Sequence, residues 1–342
     1  MRKIASPRIR FRKLAGICSV LALLAGIPRV SAMSSVDPGT GGGGGGGGTS
    51  GSGSSATLQG ATPGTDSLEA KMYAITVWTD TECDSEDSDL DRSPWDDMTQ
   101  AWYDEITSSD HDIYFKDGSQ VNGTFNQTLL CDTHSGYSDC ADTSKLDDAD
   151  AAIIATHGGD KDGHWRGRMR SNASGRTDCR VDAPDPNSGS DEDLFVGDSD
   201  LEFLHFSSCH SMDDDNIGNT YRYFYDSSTS SSRLHQANGF HGVMWIYSWE
   251  ADNYEEFADD AYSVAISSAW QDNQYDGSVY DWENWEYVEQ CPVSYAIGST
   301  GDDCETRLLN EQYDWQYGDP EVQYTCYSYF DGCDPTDDDP FN

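Results

Sequence analysis

Apolar runs of strand length alternate along the chain with segments of helical periodicity. The runs hold several consecutive apolar residues and stop at polar or glycine residues, a pattern typical of strands buried on both faces. The helical segments repeat apolar residues every three or four positions. The predicted strands are Lys71–Thr79, Asp148–Thr156, Leu201–Cys209, Asn238–Ile246 and Val293–Ile297, and the predicted helices are Pro94–Thr107 and Asn253–Gln271.

This order of elements predicts an α/β fold. Strands separated by helices favour a mostly parallel sheet that is covered on both faces. We assign the main domain to residues 67–300, and we predict a Cys-, Trp- and Tyr-rich, disulfide-bearing C-terminal extension over residues 301–342. The region between the strands that end at Thr156 and begin at Leu201 is rich in Gly, Asp and Arg, and is predicted to be a long loop.

The N-terminal residues 1–32 have the pattern of a secretory signal peptide. Six basic residues precede the apolar run Leu14–Ile27, and Val30-Ser31-Ala32 offers small residues for cleavage. The run is too short to span a bilayer, so the chain is predicted to be secreted and not inserted in a membrane. Residues 33–66 are mostly Gly, Ser, Thr and Pro, which predicts a linker.

The charge balance narrows the classes of partner. The chain carries 62 acidic and 20 basic side chains, a formal net charge of −42, and loss of the seven basic residues in the first 32 would make it −49. Such self-repulsion is typical of halophilic proteins, because molar salt shortens the Debye length to ~3 Å. Nucleic acid and anionic membrane surfaces are disfavoured as partners, because binding phosphates needs a basic stripe.

Two of the predicted strands end on residues suited to nucleophilic catalysis. The first is followed by His157-Gly158-Gly159 and the second ends on Cys209. The carboxyl ends of parallel strands meet at one edge of a sheet, so we expect the imidazole and the thiol to be neighbours there. An imidazolium would lower the pKa of the thiol, and the N–H groups of Gly158 and Cys209 could form an oxyanion hole.

Cysteine counting also singles out Cys209. Without Cys18, which lies in the predicted signal peptide, nine of the ten cysteines remain. An exported chain oxidises its cysteines in pairs, so an odd count leaves one thiol over. The sequence does not fix the connectivity, but spacing suggests Cys131–Cys140, Cys291–Cys304 and Cys326–Cys333, with Cys83–Cys179 by elimination and Cys209 unpaired.

The two strand ends resemble the caspase-like cysteine peptidases, which include metacaspases, caspases, legumains and gingipains. The similarity lies in Thr156–Gly159, with the His-Gly-Gly motif, and in Ser207–Ser211, Ser-Ser-Cys-His-Ser. Leu234–Phe240 is also similar to a segment of an uncharacterised secreted family of that fold. The resemblance implies a caspase-like three-layer sandwich, with His157 as general acid and base, Cys209 as nucleophile, and a protein or peptide substrate.

Departures from the motifs concern the substrate pocket. Metacaspases carry an Asp two residues before the cysteine, where this chain has Ser207. Tyr247-Ser248-Trp249-Glu250 resembles a caspase segment, Tyr-Ser-Trp-Arg, that lines the substrate pocket. The resemblance therefore implies a pocket formed by Ser207, Trp249 and Glu250. The acidic Glu250 would favour a basic substrate residue.

Other interpretations stay open at the level of sequence. The chain could be a non-catalytic relative that keeps the fold as a surface or interaction protein. A zinc metallohydrolase is a weaker alternative, because no His-x-x-x-His or Cys-x-x-Cys spacing occurs. We predict no metal site and no cofactor, although acidic runs could bind calcium without matching an EF-hand loop. The residues involved are His157, His164, Cys209 and His210 for zinc, Asp84–Asp91 and Asp213–Asp215 for calcium, and His205 and His241 as predicted core histidines.

Overall fold

A computed structural model of the chain describes the elements that surround both strand ends. The described residues are 29–35, 58–60, 68–78, 91–111, 114–122, 125–130, 145–161, 164–174, 179–182, 196–197, 199–213, 234–281 and 285–335. Most of the predicted signal peptide and linker, and the cysteines Cys83, Cys131 and Cys140, lie outside these ranges.

The described part is a mixed α/β fold built on a nine-stranded sheet. Its strand order is β1-β14-β12-β10-β9-β5-β3-β4, and β11 pairs with β12 outside that row. A two-stranded sheet (β2, β13) and a three-stranded sheet (β6, β7, β8) complete the fold. The strands are β1 (Arg29–Ser35), β2 (Leu58–Gly60), β3 (Leu68–Ala74), β4 (Tyr114–Val121), β5 (Ala151–Ala155), β6 (Gly158–Lys161), β7 (His164–Arg168), β8 (Arg180–Asp182), β9 (Phe203–Ser207), β10 (Gln236–His241), β11 (Asp276–Asp281), β12 (Glu286–Gly298), β13 (Trp315–Tyr317) and β14 (Tyr324–Tyr329).

The centre of the large sheet is parallel, as the sequence predicts. Strands β4, β3, β5, β9 and β10 are joined by parallel pairings. β5 and β9 are buried along their whole length, which agrees with their apolar composition. The flank formed by β12, β14 and β1 is antiparallel. The sequence predicts a strand within β12, at Val293–Ile297, but it predicts neither β1 nor β14 nor the antiparallel pairing.

Four α-helices among the described residues pack against this framework: α1 (Pro94–Ile106), α2 (Ala251–Asp260), α3 (Ile266–Gln274) and α4 (Gly301–Asn310). Helix α1 agrees with the prediction. It begins at a proline and buries Trp95, Met98, Trp102 and Ile106.

The single helix predicted over Asn253–Gln271 is wrong, because the chain breaks between α2 and α3. The N–H of Tyr313 donates to the carbonyl of Ala261, and the N–H of Ile266 donates to the carbonyl of Glu311. Ala265 is extended, with ψ 135°. A neighbouring segment therefore satisfies the backbone groups at the break, and local periodicity could not reveal this.

The predicted loop after His157 is in fact the three-stranded antiparallel sheet β6-β7-β8. Trp165, Gly167 and Met169 are buried, while Arg166, Arg168 and other alternating positions are half-buried. This alternation has the period of a strand, but glycine and arginine are weak strand formers, and the strands are short.

The C-terminal region is part of the same sheet, since β14 pairs with β12 and α4 packs on both. Two disulfides join Cys291 to Cys333 and Cys304 to Cys326. The predicted pairings Cys291–Cys304 and Cys326–Cys333 are wrong, because strand pairing brings distant residues together; Ala296 of β12 lies opposite Cys326. Cys179 is also disulfide-bonded.

Two further features concern the N-terminal strand and the helices. Strand β1 pairs with β14 and crosses the predicted cleavage point after Ala32, so the fold of the full chain includes residues of the predicted signal peptide. Within the part of the chain that the structure describes, no helix combines the length and apolar character needed to cross a membrane.

Candidate active site

The register of β5 and β9 brings His157 and Cys209 to the same edge of the large sheet. Ala155 lies opposite Ser207 in this parallel pair, and each strand is followed by two more residues, which end on His157 and Cys209. The N–H of Thr156 donates to the carbonyl of Ser207 at 3.3 Å, so the alignment continues past the strand ends. The two residues predicted from sequence therefore leave the sheet side by side.

Gly158 holds this neighbourhood together, because the backbone after His157 passes directly against Cys209. A β-carbon at position 158 would lie 2.2 Å from the Cys209 carbonyl oxygen and 2.3 Å from Ser208 Oγ. Only glycine allows such an approach without displacing the turn at residues 208–212, which carries Cys209 and is called the cysteine turn below.

The backbone N–H of Gly158 points away from β7. The N–H of Arg168 donates to the carbonyl of His157 at 2.9 Å, so the facing residues Gly158 and Gly167 form a pair without mutual hydrogen bonds. In such a pair both N–H groups point outward from the two strands. The donor that the sequence assigns to an oxyanion hole is therefore not used in the β6–β7 ladder.

Cys209 is the one free cysteine among the described residues, and it is half-buried. The N–H of Met244 donates to its sulfur at 3.3 Å. Burial nevertheless raises the pKa of the Cys209 thiol, and the negative charge of Asp213 raises it further. The expectation of a lowered thiol pKa is therefore wrong for this structure, and the sulfur carries its proton at neutral pH.

His157 is fixed by aromatic packing. Its ring centroid lies 4.8 Å from that of Trp78 and 5.0 Å from that of Trp95, and both indoles are fully buried. Trp95 is the second residue of α1, while Trp78 follows β3. These contacts hold the imidazole ring against the two indoles.

Asp213 anchors the turn that carries Cys209, and the sequence interpretation missed it. Its carboxylate accepts from His210 Nδ1 at 2.6 Å, from His241 Nδ1 at 3.1 Å and from the N–H of Gly242 at 2.6 Å. Burial alone would raise the pKa of Asp213, but these hydrogen bonds lower it below its usual range. Protein donors thus occupy the carboxylate of Asp213, whereas the rest of the two acidic runs considered for calcium, residues 84–90 and 214–215, lies outside the described residues.

The turn is sharp, and His210 adopts a positive φ of 56°. The N–H of His210 donates to the carbonyl of Gly242 at 2.7 Å, which ties the turn to the end of β10. The spacing of His210 and Asp213, three residues apart, was the available signal for this ion pair. It lay inside an acidic run that is easily taken for solvated surface.

The three predicted pocket residues have different surroundings. Ser207 is fully buried, and its hydroxyl lies 2.8 Å from the hydroxyl of Tyr254. Glu250 is buried near Tyr254, accepts from Asn253 at 2.5 Å, and has a pKa raised by burial. Trp249 is 63% exposed and stacks on Tyr247 with centroids 4.2 Å apart. Ser207 and Glu250 thus share Tyr254, whereas Trp249 faces outward.

The described residues do not gather the ligands of the zinc alternative. Two groups of three potential ligand atoms lie within 4.8 Å of one another, and neither includes His157, Cys209 or His210. One of them contains the Cys291–Cys333 disulfide, whose sulfurs are not thiolates. The other consists of Glu105, His111 and Asp259, of which the first two are half-buried.

The predicted core histidines are confirmed as satisfied. His205, fully buried in β9, contacts Asn238 Nδ2 at 3.1 Å and the Tyr313 hydroxyl at 2.9 Å. Burial lowers the pKa of His205 to about 3, so the ring is neutral. His241 is also buried, but through Asp213 it belongs to the framework of the site.

Comparison with known proteins identifies one family. No curated protein and no solved structure matches the chain. A family model described as "Domain of unknown function (DUF6345)" matches residues 77–291, more than half of the chain, and this span includes both strand ends, the small sheet and the Asp213 turn. The chain therefore belongs to the DUF6345 family.

Proposed function

We propose that the protein is a cysteine peptidase-like hydrolase that cleaves peptide bonds through His157 and Cys209. The observation that carries the proposal is the continuous register of β5 and β9, with Gly158 packed against the Cys209 carbonyl. This arrangement brings an imidazole and the free thiol of the described part to one sheet edge, and it needs a glycine at position 158.

In the proposed reaction, His157 accepts the thiol proton as the sulfur of Cys209 bonds to the substrate carbonyl carbon. The tetrahedral intermediate then collapses, the C–N bond breaks, and the departing amine takes the proton from His157. Water, deprotonated by the same imidazole, then attacks the thioester carbonyl; the C–S bond breaks, the acid is released, and the imidazolium returns its proton to the Cys209 sulfur. The N–H groups of Gly158 and Cys209 would stabilise both oxyanions.

The raised pKa of Cys209 shapes this mechanism. Because the pKa of the half-buried Cys209 thiol is raised, we expect the thiol to be protonated before substrate arrives and proton transfer to His157 to accompany attack. The N–H of Met244, 3.3 Å from the sulfur, would stabilise the developing negative charge. We therefore expect a general-base mechanism in place of a preformed thiolate–imidazolium pair.

Glu250 suggests the substrate preference. It is buried, and its charge acts on Tyr254, whose hydroxyl contacts Ser207, two residues before Cys209. Burial raises the pKa of Glu250, and the carboxylate of Asp276, another acidic group, raises it further. A basic substrate side chain would be complementary to this environment.

The proposal extends to architecture and location. We assign the fold to the caspase-like three-layer sandwich and the chain to a salt-adapted, secreted protein with a signal peptide at residues 1–32. Two disulfides between described cysteines support an oxidising compartment, where such bonds persist.

Hydrolysis of fluorogenic peptides in molar salt tests the proposal. We expect the full chain to release fluorophore after Lys or Arg, and Cys209→Ala to abolish release. Glu250→Gln should reduce cleavage after Lys or Arg more than cleavage after neutral residues. Activity that persists in Cys209→Ala would overturn the assignment of the nucleophile. No hydrolysis of any peptide by folded protein would favour the non-catalytic interaction protein.

A further inference from the structure

We propose that Asn126 is an N-glycosylation site. The acceptor is the side-chain amide nitrogen of Asn126, and the co-substrate is a saccharide joined through phosphate to a membrane lipid. The inference rests on the proposed secretion of the chain, because asparagine glycosylation is a modification of exported polypeptides. It holds whether or not Cys209 is catalytic.

The chain contains three sequons of the form Asn-x-Ser/Thr, the pattern that glycosylation requires. As sequence patterns the three are equivalent. A glycan is bulky, however, so its attachment needs an amide nitrogen that lies at the surface of the folded chain. The three sequons are Asn122-Gly123-Thr124, Asn126-Gln127-Thr128 and Asn172-Ala173-Ser174.

The side chain of Asn122 holds the segment that follows β3. Its Oδ1 accepts from the N–H groups of Thr76 and Val77 at 2.8 and 3.0 Å, and its Nδ2 donates to Thr76 Oγ1 at 2.6 Å. Thr76 is buried. The amide nitrogen of Asn122 is therefore directed at a buried residue, and a saccharide bonded to it would displace the segment.

The side chain of Asn172 closes a loop in the backbone. Its Oδ1 accepts from the N–H of Cys179 at 2.6 Å, seven residues further along the chain. Cys179 is disulfide-bonded, which limits the movement of this N–H. Turning the amide of Asn172 toward a transferase would break the hydrogen bond and leave a partly buried donor without its acceptor.

The hydrogen bonds of Asn126 stay inside its own sequon. Its Oδ1 accepts from the N–H of Thr128 at 3.0 Å and from Thr128 Oγ1 at 2.5 Å. The amide nitrogen lies on the other side of the carboxamide and points away from the threonine. It donates to no acceptor within the part of the chain that the structure describes, and it is not a buried atom. Asn126 Nδ2 is therefore open to solvent.

Buried neighbours hold this sequon in place. Half-buried Asn126 and Thr128 alternate along the chain with three buried side chains, those of Phe125, Gln127 and Leu129. Gln127 Oε1 also accepts from the N–H of Ala173 at 2.7 Å. The contacts that anchor the segment are thus made by residues that the modification does not touch, so a saccharide on Asn126 requires no change in packing.

The transfer is a substitution at the anomeric carbon of the saccharide. The C–N bond to Asn126 Nδ2 forms as the C–O bond to the lipid phosphate breaks, and the phosphate leaves with the bonding electron pair. One amide proton passes to a base of the transferase. The modified side chain keeps its Oδ1, so both hydrogen bonds from Thr128 remain in the product.

Peptide mass mapping of the chain secreted by its native host tests the inference. We expect fragmentation to place a mass increase of at least one sugar residue on Asn126, with Asn122 and Asn172 unmodified. Thr128→Val should abolish the increase, because it removes the hydroxyl that the sequon requires, and Thr128→Ser should retain it. Ser174→Ala, which removes the third sequon at an exposed position, is the matched control and should leave the increase unchanged.

A second measurement separates the modification from secretion. The folded full chain, made without glycosylation, is incubated with membranes of the native host, which supply the transferase and the lipid-linked donor. A free peptide with the sequence of residues 125–129 reports that the membranes are active. We expect both the peptide and Asn126 of the folded chain to be modified. This result in a chain that the host does not export would refute only the proposed secretion.

Three results would overturn the inference. The first is a secreted chain in which Asn126 is unmodified. The second is a mass increase confined to Asn122 or Asn172, or one that survives Thr128→Val. The third is a folded chain that stays unmodified at Asn126 while the free peptide reacts.

Discussion

At the scale of single residues, the candidate site depends on a glycine whose missing side chain leaves room for Cys209. Replacing Gly158 by Ala would bring a methyl group to 2.2 Å from the Cys209 carbonyl oxygen. We expect the free energy of unfolding to fall by about 1–3 kcal/mol, as for other overpacked positions, and the reactivity of Cys209 to be lost. Denaturant titration and thiol labelling measure the two effects.

Gly159 provides the matched control for this substitution, since it is the next residue of the same strand. A β-carbon there meets no atom within 4 Å. Gly159→Ala should therefore leave the free energy of unfolding unchanged or raise it by up to ~1 kcal/mol, through the lower entropy of the unfolded chain. Equal losses in the two variants would mean that position 158 has no special contact with the cysteine turn.

Asp213 should affect both stability and thiol chemistry. Asp213→Asn removes a charged acceptor of three hydrogen bonds, so we expect the free energy of unfolding to fall by roughly 1.5–3 kcal/mol. The same change removes a negative charge that raises the pKa of Cys209, so the pH midpoint of iodoacetamide labelling should shift downward. Asp252→Asn, at an exposed position of α2, should change neither quantity. An upward shift in Asp213→Asn would contradict the electrostatic assignment.

His157, Gly158 and Cys209 could be identified from the sequence, because a buried strand ends where its apolar run stops, and the carboxyl ends of parallel strands lie at the same edge of the sheet. The sequence could not identify Asp213 or Met244. Asp213 lies in an acidic run of the kind usually found on the solvent-exposed surface. Met244 acts through its backbone N–H, a group that nearly every residue type has, so its identity gives no signal. The sign of the thiol pKa shift was also out of reach, because it depends on burial.

At the scale of elements, a buried ion pair links the start of β10 to the end of α4. His235 Nδ1 lies 2.9 Å from Glu311 Oε1, and both side chains are almost completely buried. Arg307 contacts the same carboxylate at 3.2 Å. Burial lowers the pKa of His235, but Glu311 and Asp319 outweigh it and raise the pKa above its usual value.

This raised pKa predicts that the contribution of His235 to the free energy of unfolding depends on pH. The pKa of such a histidine is higher in the folded state than in the unfolded state, where it is ~6.5. At pH values below the unfolded-state pKa, the histidine makes its full contribution to the free energy of unfolding. This contribution is lost as the pH rises through the folded-state pKa. His235→Gln should cost about 3 kcal/mol at pH 6, since it leaves Glu311 with one cation fewer. The difference from the unsubstituted chain should shrink at higher pH. Denaturant titrations at pH 6 and pH 9 measure it, and a difference that grows with pH would contradict the pairing.

The elements also show where sequence patterns reach their limit. Helix α1 and the parallel strands follow from local periodicity and apolar runs. The break between α2 and α3 comes from hydrogen bonds to residues 311 and 313, which are distant in sequence. For the β6-β7-β8 sheet, the alternation Trp-Arg-Gly-Arg-Met-Arg at residues 165–170 is a strand pattern. The low strand propensity of its glycine and arginine residues made this pattern hard to recognise.

At the scale of the whole molecule, net charge sets the conditions under which the fold is stable. A formal charge of −42 repels itself in dilute buffer, and salt screens this repulsion. We expect the melting temperature to rise by about 10 °C or more between 0.2 and 2 M NaCl, a gain of several kcal/mol for a chain of this size. Calorimetry at a series of NaCl concentrations measures the rise. A melting temperature that does not change with salt concentration would contradict the hypothesis that the protein is salt-adapted.

The central claim is that His157 activates Cys209, and the rate of iodoacetamide labelling at pH 7.5 in molar salt tests it most directly. Peptide mapping assigns the label, and His111→Ala, whose histidine stacks on Tyr262, is the control. We predict that Cys209 reacts without denaturant and that His157→Ala slows it at least about tenfold, while His111→Ala does not. Equal rates in His157→Ala and the unsubstituted chain, or no labelling of the folded protein, would contradict the proposed dyad.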